Sequence, residues 1–481
     1  MPRSTDRRVS PLVIFAVLAS ATASISLLQS LVTPVLPTIQ ADLNTSTTTV
    51  TWVITAWLLT ASVATPLLGR VGDMAGKKRT LLIALAAIAI GSAVAAAAPS
   101  VSVLILGRVL QGIGAAVFPL TFAIIRDEFP PHRLPGAVGA IAAVIATGGG
   151  AGVVLAGPVV ENLSWRWLFW IPAIAASVIW LLALRLVPES AVRTPGKVNV
   201  VAAALLSGWL VCLLLPVTKG NAWGWTSASV LGGLALAAVL LATWIWVELR
   251  SSTPLIDMRM MRLPAVWTTN LVALLFGAAM FVTYAFLPVY MQVPVSTGYG
   301  FGASVTGAGL LLLPMLVGMA VLGFASGPIS RLVSAKTQLV GGAVLLTLSG
   351  LILVLAHDAR WQVSLAAGIA GVGMGLAFSS MVNLVVNGVP PEQTGVASGM
   401  NTNLRTIGGS IGTAVVSSII ASHTTSGGLP AESGFTSAFI LMTVLAAVAV
   451  GAALLVPTRT RIDRRTVVVA EEDPAVAVAT S

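Results

Sequence analysis

Long apolar runs constrain this chain more than any other feature. Fourteen of them, near residues 11–33, 50–68, 80–98, 101–123, 136–159, 167–187, 199–217, 227–247, 265–289, 304–327, 337–356, 363–386, 402–421 and 435–456, divide the 481 residues almost end to end. Each approaches the ~20 residues an α-helix needs to cross hydrocarbon. Only 9% of the residues are charged, against roughly a quarter in soluble domains, so water is not the main solvent of this chain. The runs predict an all-α polytopic membrane protein of fourteen spans, joined by loops too short to hold a soluble domain.

Arg3, Arg7 and Arg8 ahead of a run that passes through Ala21-Thr22-Ala23 also have the look of a cleavable leader. Its removal would leave an odd number of spans and spoil the charge pattern, so the run is read as the first span. With the N-terminus inside, all but four of the 26 Lys and Arg residues fall in cytoplasmic segments. The exceptions are Arg108, within a span, and Arg166, Lys219 and Arg360, outside. Both termini are expected in the cytoplasm, and the arginine- and alanine-rich usage points to a bacterial inner (plasma) membrane. The net charge of +10 reflects this bias and the anionic inner leaflet of the bilayer, and gives no reason to expect nucleic acid. The single cysteine, Cys212, excludes an internal disulfide framework and a cysteine metal cluster.

Runs one to six recur as nine to fourteen. Gly69-Arg70-Val71-Gly72-Asp73-Met74-Ala75-Gly76-Lys77-Lys78 stands opposite Gly327-Pro328-Ile329-Ser330-Arg331-Leu332-Val333-Ser334-Ala335-Lys336, with glycine and lysine agreeing at the two ends. The expected division is a first six-helix half over 1–190, an inserted helix pair with linkers over 191–250, a second six-helix half over 251–457, and a cytoplasmic tail over 458–481. Trp223 and Trp225 suit the external turn of the inserted pair.

Between runs two and three, Gly69, Gly72, Asp73, Gly76, Lys77, Lys78 and Arg79 combine three things. The glycines permit a tight turn, the carboxylate can cap a helix or pair with cations, and the basic cluster suits an inner leaflet. Run four carries Arg108-Val109-Leu110-Gln111-Gly112-Ile113-Gly114-Ala115-Ala116. Arg108 lies about 10 Å below the outer end of its helix, where a charge needs a partner or a wet cavity. Run five carries Thr147-Gly148-Gly149-Gly150-Ala151-Gly152 and then Gly157-Pro158. Ser164-Trp165-Arg166-Trp167-Leu168-Phe169 opens run six, and Asn403-Leu404-Arg405-Thr406-Ile407-Gly408-Gly409-Ser410-Ile411-Gly412 lies in run thirteen.

These stretches resemble the motifs of the major facilitator transporters, and the chain as a whole is similar to their fourteen-helix drug:proton antiporter group. The resemblance implies the major facilitator fold, two six-helix halves plus two inserted helices, rocking about a central site. It implies export of small amphipathic molecules such as drugs or antibiotics, by proton antiport. Gly69, Asp73, Gly76, Lys77, Lys78 and Arg79 would then form a conformational gate, with Arg405 close to it near the cytoplasmic end of its helix. Gly148, Gly152, Gly157 and Pro158 would form the export-associated motif, although Glu161 and Asn162 stand where a glycine pair usually follows.

A second departure concerns the first span. Members of the group often place an aspartate there, before the proline corresponding to Pro37, and this chain has Leu28 and Gln29 instead. All 16 Asp and Glu residues fall in loops or at helix ends, and His132, His357 and His423 fall in loops. Glu161, Asp42 and Asp127 are the remaining candidates to carry a proton. A lipophilic cation would find only the faces of Trp52 and Trp57, so neutral or anionic amphipathic substrates are expected. By analogy with the first and fourth helices of each half, the cavity and coupling candidates are Gln29, Thr33, Trp57, Arg108, Gln111, Gly112, Tyr284, Met374 and Asn383.

Other classes find no support. Val71 and Lys78 break the glycine–lysine–serine spacing of an ATP loop, and no His-Glu-x-x-His cluster occurs. No enzyme activity, cofactor or metal is expected, and a monomer in lipid is. Export of an endogenous metabolite or lipid, and uptake by the same fold, remain open as alternatives.

Overall fold

The computed structural model describes residues 10–130, 132–190, 199–251, 254–390, 393–423 and 430–457. Arg3, Arg7 and Arg8, and the tail from 458 with Glu471-Glu472-Asp473, lie outside the described residues. The principal helices are α1 (Pro11–Leu31), α2 (Trp52–Ala75), α3 (Lys77–Ala96), α4 (Val101–Glu128), α5 (Leu134–Asn162), α6 (Trp167–Leu186) and α7 (Val200–Trp223). They continue as α8 (Ala228–Arg250), α9 (Pro264–Gln292), α10 (Leu313–Ile329), α11 (Ala335–Leu355), α12 (Arg360–Gly388), α13 (Thr394–Ser422) and α14 (Glu432–Leu454).

Thirteen of these are long and apolar enough to cross a membrane, and α10 is shorter at 17 residues. The run expected over 304–327 is divided: a short helix, Val305–Leu311, precedes α10, which starts afresh with Pro314 in its first turn. Proline has no N–H to continue the earlier ladder, and its fixed φ suits a new helix start. The outer surface carries exposed apolar side chains such as Ile174, Val178 and Leu181 on α6, Leu236 and Val239 on α8, and Val317, Val321 and Phe324 on α10. Such a surface would aggregate in water, and lipid is its natural solvent.

Helices α1–α6 pack on one another, as do α9–α14. Across the seam, α5 meets α10 and α12, while α13 meets α2 and α4. Helix α7 touches both α2 and α13, and α8 packs chiefly on α7. Alternating direction places the turns near 76, 131, 190, 255, 332 and 391 at one end, which collects most of the cations and is called the basic end below.

Two glycine-mediated backbone approaches hold α13 against α9. A Cβ on Gly408 would overlap the Leu274 carbonyl of α9, and one on Gly412 would lie 2.9 Å from the Ala278 carbonyl oxygen. Small residues at this four-residue spacing let helix backbones touch, which is how helices associate where lipid removes the hydrophobic drive. Gly148 and Gly152 do the same for α5 against Ser26 and Ser30 of α1, while Gly150 faces Leu316 of α10. The glycine run of α5 therefore serves two interfaces at once. Gly157 and Pro158 lie in its last turns, where Asn162 Nδ2 donates to the Pro158 carbonyl at 2.8 Å.

Gly76 ends α2 with φ +124°, a left-handed value, and a Cβ there would press on the Glu189 carboxylate at 2.8 Å. Glu189 accepts from the backbone N–H groups of Lys78 (3.1 Å) and Arg79 (3.3 Å), supplying negative charge at the N-terminus of α3. Lys77 and Asp127 form a buried ion pair at 2.6 Å, with side chains 1% and 6% exposed. Lys77→Met takes the cation from that carboxylate and leaves it the Ser190 hydroxyl as donor, and a loss of about 3 kcal/mol in stability, the lower end for a broken buried pair, is expected. The double variant Lys77→Met/Asp127→Leu should recover most of the thermal midpoint, and a midpoint that does not move in the single variant would remove the pair from the stability account.

Candidate functional site

A cavity of about 360 Å³ occupies the seam. Its wall is built from Gln29 of α1 and Thr33 just beyond its end, Trp57 and Ser62 of α2, Met280 and Tyr284 of α9, Phe378 of α12, and a long stripe of α13 from Thr402 to Ser417. On α1 and α13 the lining residues lie in the parts remote from the basic end. The cavity therefore sits in the middle and far half of the bundle. Helix α7 adds Thr218 and Asn221.

Towards the basic end the seam is closed by a polar lattice. Asp73 Oδ2 accepts from the Val396 N–H at 3.2 Å, so a carboxylate on α2 caps the first turn of α13. Arg126 of α4 donates to Thr394 Oγ1 at 2.6 Å and to the Val389 carbonyl at 2.8 Å. Asn383 Nδ2 reaches the Pro135 carbonyl at 3.3 Å, and Gly327 faces Gly136 without room for a side chain. The far end has fewer direct ties, among them Thr306 to Glu161 at 3.3 Å.

The expected site residues separate into three groups. Gln29, Thr33, Trp57 and Tyr284 line the cavity. Arg108, Gln111, Gly112, Met374 and Asn383 do not: the first four are buried behind the wall, and Asn383 belongs to the closure at the basic end. Arg405 is corrected in the opposite sense. It lies eleven residues beyond Thr394, about 16 Å along α13 at 1.5 Å per residue, and lines the cavity away from the Asp73 loop. The residues of α13 that meet the loop are Gly395 and Val396.

Arg108 is 1% exposed and engaged within the first six helices. Its Nε donates to the Val53 carbonyl at 3.0 Å, and its Nη1 to Gln111 Oε1 at 2.8 Å. Gln111 Nε2 in turn donates to Ser92 Oγ at 2.9 Å. The guanidinium lies over Trp57, 5.5 Å from the ring centroid, and so backs a residue whose other side faces the cavity. Gly112 lets α4 approach this point, since a Cβ would lie 2.9 Å from the Trp57 carbonyl oxygen. Arg108→Ala should leave a folded, inserted protein with flux at least about tenfold lower, because hydrogen bonds to a charged group are worth about 1.5–3 kcal/mol. Arg108→Lys keeps the charge without the fork and should recover only part. Flux in reconstituted vesicles beside a size-exclusion profile reads both, and unchanged flux in the alanine variant would discount this support.

Trp52 is likewise taken. The Lys219 ammonium lies 4.7 Å from its ring centroid and donates to Thr51 Oγ1 at 2.7 Å. Both tryptophans proposed above for a cationic substrate are therefore already covered by the protein's own cations. Among the described residues, no Asp or Glu lines the cavity. Of the proton-carrier candidates, Asp42 accepts from the Trp165 indole and from Arg166, each at 2.9 Å, which hold its carboxyl below the usual carboxylate range. A carboxyl so held stays ionised at neutral pH and is poorly placed to exchange a proton there. Asp127 is occupied by Lys77, and Glu161 is exposed at the far end of α5.

Sequence reading missed Lys219, Thr218 and Asn221 because it ended the seventh run near 217, whereas α7 continues to Trp223. It also missed Phe378, whose position in an apolar run carries no mark of a cavity.

The pattern of the Major Facilitator Superfamily matches residues 18–413. The chain belongs to the Major Facilitator Superfamily. Among superfamily relatives, it is 32% identical over 402 residues to the tetracenomycin C resistance and export protein of Streptomyces glaucescens, covering 80% of this chain and 72% of that one. It is 31% identical over 431 residues to the cephamycin export protein CmcT of Amycolatopsis lactamdurans, covering 85% of each. It is also 30% identical over 433 residues to an uncharacterized MFS-type transporter of Mycobacterium tuberculosis, and there it spans 87% of its own length and 61% of the relative's. In solved structures the superfamily fold is shared with the human organic anion transporter MFSD10, at TM-score 0.67 and 16% identity, covering 95% of this chain and all of that one. The proton:xylose symporter XylE matches at TM-score 0.66 and 13% identity, covering 93% and 96%. At those identities the likeness is one of fold alone.

Proposed function

We propose that this chain is a secondary-active exporter of small amphipathic molecules, a transporter and not an enzyme, which alternates access by rocking residues 1–190 against 251–457. The observation that carries the reading is the seam cavity, closed at the basic end by Asp73, Arg126 and Asn383 and bounded by α1, α2, α9 and α13. Superfamily membership and relatives named for drug resistance or antibiotic export support it. With the basic end in the cytoplasm of a plasma membrane, as the distribution of Lys and Arg favours, this conformation faces outward. The 69–79 loop then acts as the inner gate, residues 191–250 as an inserted pair that completes the cavity wall, and 458–481 as a cytoplasmic tail. Gly148, Gly152, Gly157 and Pro158 keep α5 close to α1 while it rocks.

Proton antiport is the coupling proposed, in a single chain acting as a monomer. With no carboxylate among the described residues at the cavity, the proton is carried by Glu161 or Asp127 or by the substrate's own ionisation, and Asp42 ranks below them. Export of one product of the cell's own metabolism is a second reading, favoured by relatives named for a single exported compound.

Uptake of cationic, neutral and anionic amphiphiles into proteoliposomes under an imposed pH gradient, with an interior pH dye recorded together, tests both parts. Substrate-dependent flux with proton counter-movement is the expected result. Flux without it removes the coupling and leaves the carrier, whereas no flux for any compound removes the transporter reading.

A further inference from the structure

We propose that Arg405 anchors an anionic group of the substrate, so that the cavity selects amphipathic anions: aromatic or fused-ring molecules that carry a carboxylate, phenolate or sulfonate. The proposal rests on the exporter reading and names the substrate class of the same cavity.

Arg405 and Arg108 are both buried arginines, and they are used differently. Arg108 is turned onto a backbone carbonyl and a glutamine oxygen, the partners a guanidinium takes when its role is to hold helices together. Arg405 Nη1 is buried without any hydrogen-bond partner, and no carboxylate among the described residues lies within ion-pair distance of this side chain. An unpaired cation taken out of water is costly, and it is tolerated where a ligand or water supplies the missing charge.

Packing holds the cation in place. Its guanidinium carbon lies 4.0 Å from the centroid of Phe378, and a Cβ on Gly277 of α9 would collide with the Arg405 backbone. A guanidinium held over a ring spends no N–H on a protein acceptor there, and its planar set of donors matches carboxylate and sulfonate oxygens. Further unpaired polar groups stand on the same cavity wall: both amide atoms of Asn403, the Trp57 indole N–H and the hydroxyls of Ser62 and Thr218. Asn403 Nδ2 and Trp57 Nε1 can only donate, Asn403 Oδ1 can only accept, and each hydroxyl can do either, so most of this set can donate to an anion. Apolar side chains on the same wall, among them Ile54, Leu58, Met280 and Phe281, suit a ring system, and the hydroxyls of Thr402, Thr406 and Ser410 stand among them.

The test uses the full chain in nanodiscs of zwitterionic lipid and two probes on one skeleton, 8-anilinonaphthalene-1-sulfonate and its uncharged parent N-phenyl-1-naphthylamine. Fluorescence titration is corrected with protein-free nanodiscs. The wild type should hold the sulfonate at least about tenfold more tightly than the parent, the scale of a charge-assisted hydrogen bond. Arg405→Gln should erase that margin and leave the parent's affinity within about twofold. Equal affinities in the wild type, or a margin that survives Arg405→Gln, would overturn the proposal. If Arg405→Gln does not elute as a single folded species, Arg405→Lys replaces it: selective weakening of the sulfonate supports the anchor, and equal weakening of both probes overturns it. The outcome is separable from the vesicle assay. A sulfonate margin with no flux removes the exporter and keeps the anchor, and gradient-driven flux with no margin does the reverse.

Discussion

Gly69→Val is expected to cut flux by at least about tenfold while the protein remains folded. A Cβ on Gly69 would lie 2.9 Å from the Gly395 carbonyl oxygen, and one on Gly395 would lie 2.8 Å from Asp73 Oδ1. Helices α2 and α13 come from opposite sides of the seam, so this contact exists only while the basic end is shut. Overpacking costs about 1–3 kcal/mol, and a state that separates the two helices escapes that cost. The equilibrium should therefore move about 5- to 150-fold towards opening at the basic end. Ser398, 3% exposed behind this contact, provides the readout. In a Cys212→Ala background, Ser398→Cys should resist alkylation from the basic side until Gly69→Val is added. Continued protection beside normal flux would mean that this contact does not gate anything.

Gly408→Val presents a similar steric problem and should end differently. Its Cβ would fall on the backbone carbonyl of Leu274 in α9, and α9 and α13 lie on the same side of the seam. Rocking does not separate them, so no alternative state relieves the overlap and the collision is with backbone that cannot rotate away. A destabilisation of more than about 3 kcal/mol is expected, the upper range for overpacking, with loss of folded, membrane-inserted protein. Gly341→Ala is the control, because a Cβ there meets nothing within 4 Å. A Gly408→Val protein with wild-type yield and thermal midpoint would show that the α9–α13 contact can spread without harm.

The order of the helices and thirteen of the fourteen expected spans were legible because apolar length acts locally, residue by residue. The split before α10 was less so, since Pro314 sits within an otherwise continuous apolar run. Motif glycines could be picked out, but their neighbours could not: nothing in 147–152 says that alternate residues meet α1 and α10. Arg108 and Arg405 show the limit most clearly. Arg108 stands alone in a long apolar segment, where a buried charge marks a site, whereas Arg405, near the start of run thirteen, reads as a gate residue at the cytoplasmic end. One is satisfied by a carbonyl 55 residues away in the chain and backs the wall, while the other lines the cavity with a buried Nη1 that has no hydrogen-bond partner. Their difference is set by long-range packing, to which a one-dimensional pattern is blind.

Helix α7 has a consequence for how a greasy solute reaches its site. Between α2 and α13 a rocking carrier would have a side window onto the bilayer, through which a lipid-dissolved molecule could slip directly into the cavity. Here that window is shuttered: α7 touches both frames, Lys219 is fastened to Thr51, the Trp225 indole beyond its end reaches Ser418 Oγ at 2.7 Å, and Thr218 and Asn221 form its inner surface. On that flank, a compound's tendency to concentrate in the membrane gives it no head start. What counts there is the amount of it dissolved in the water at the mouth.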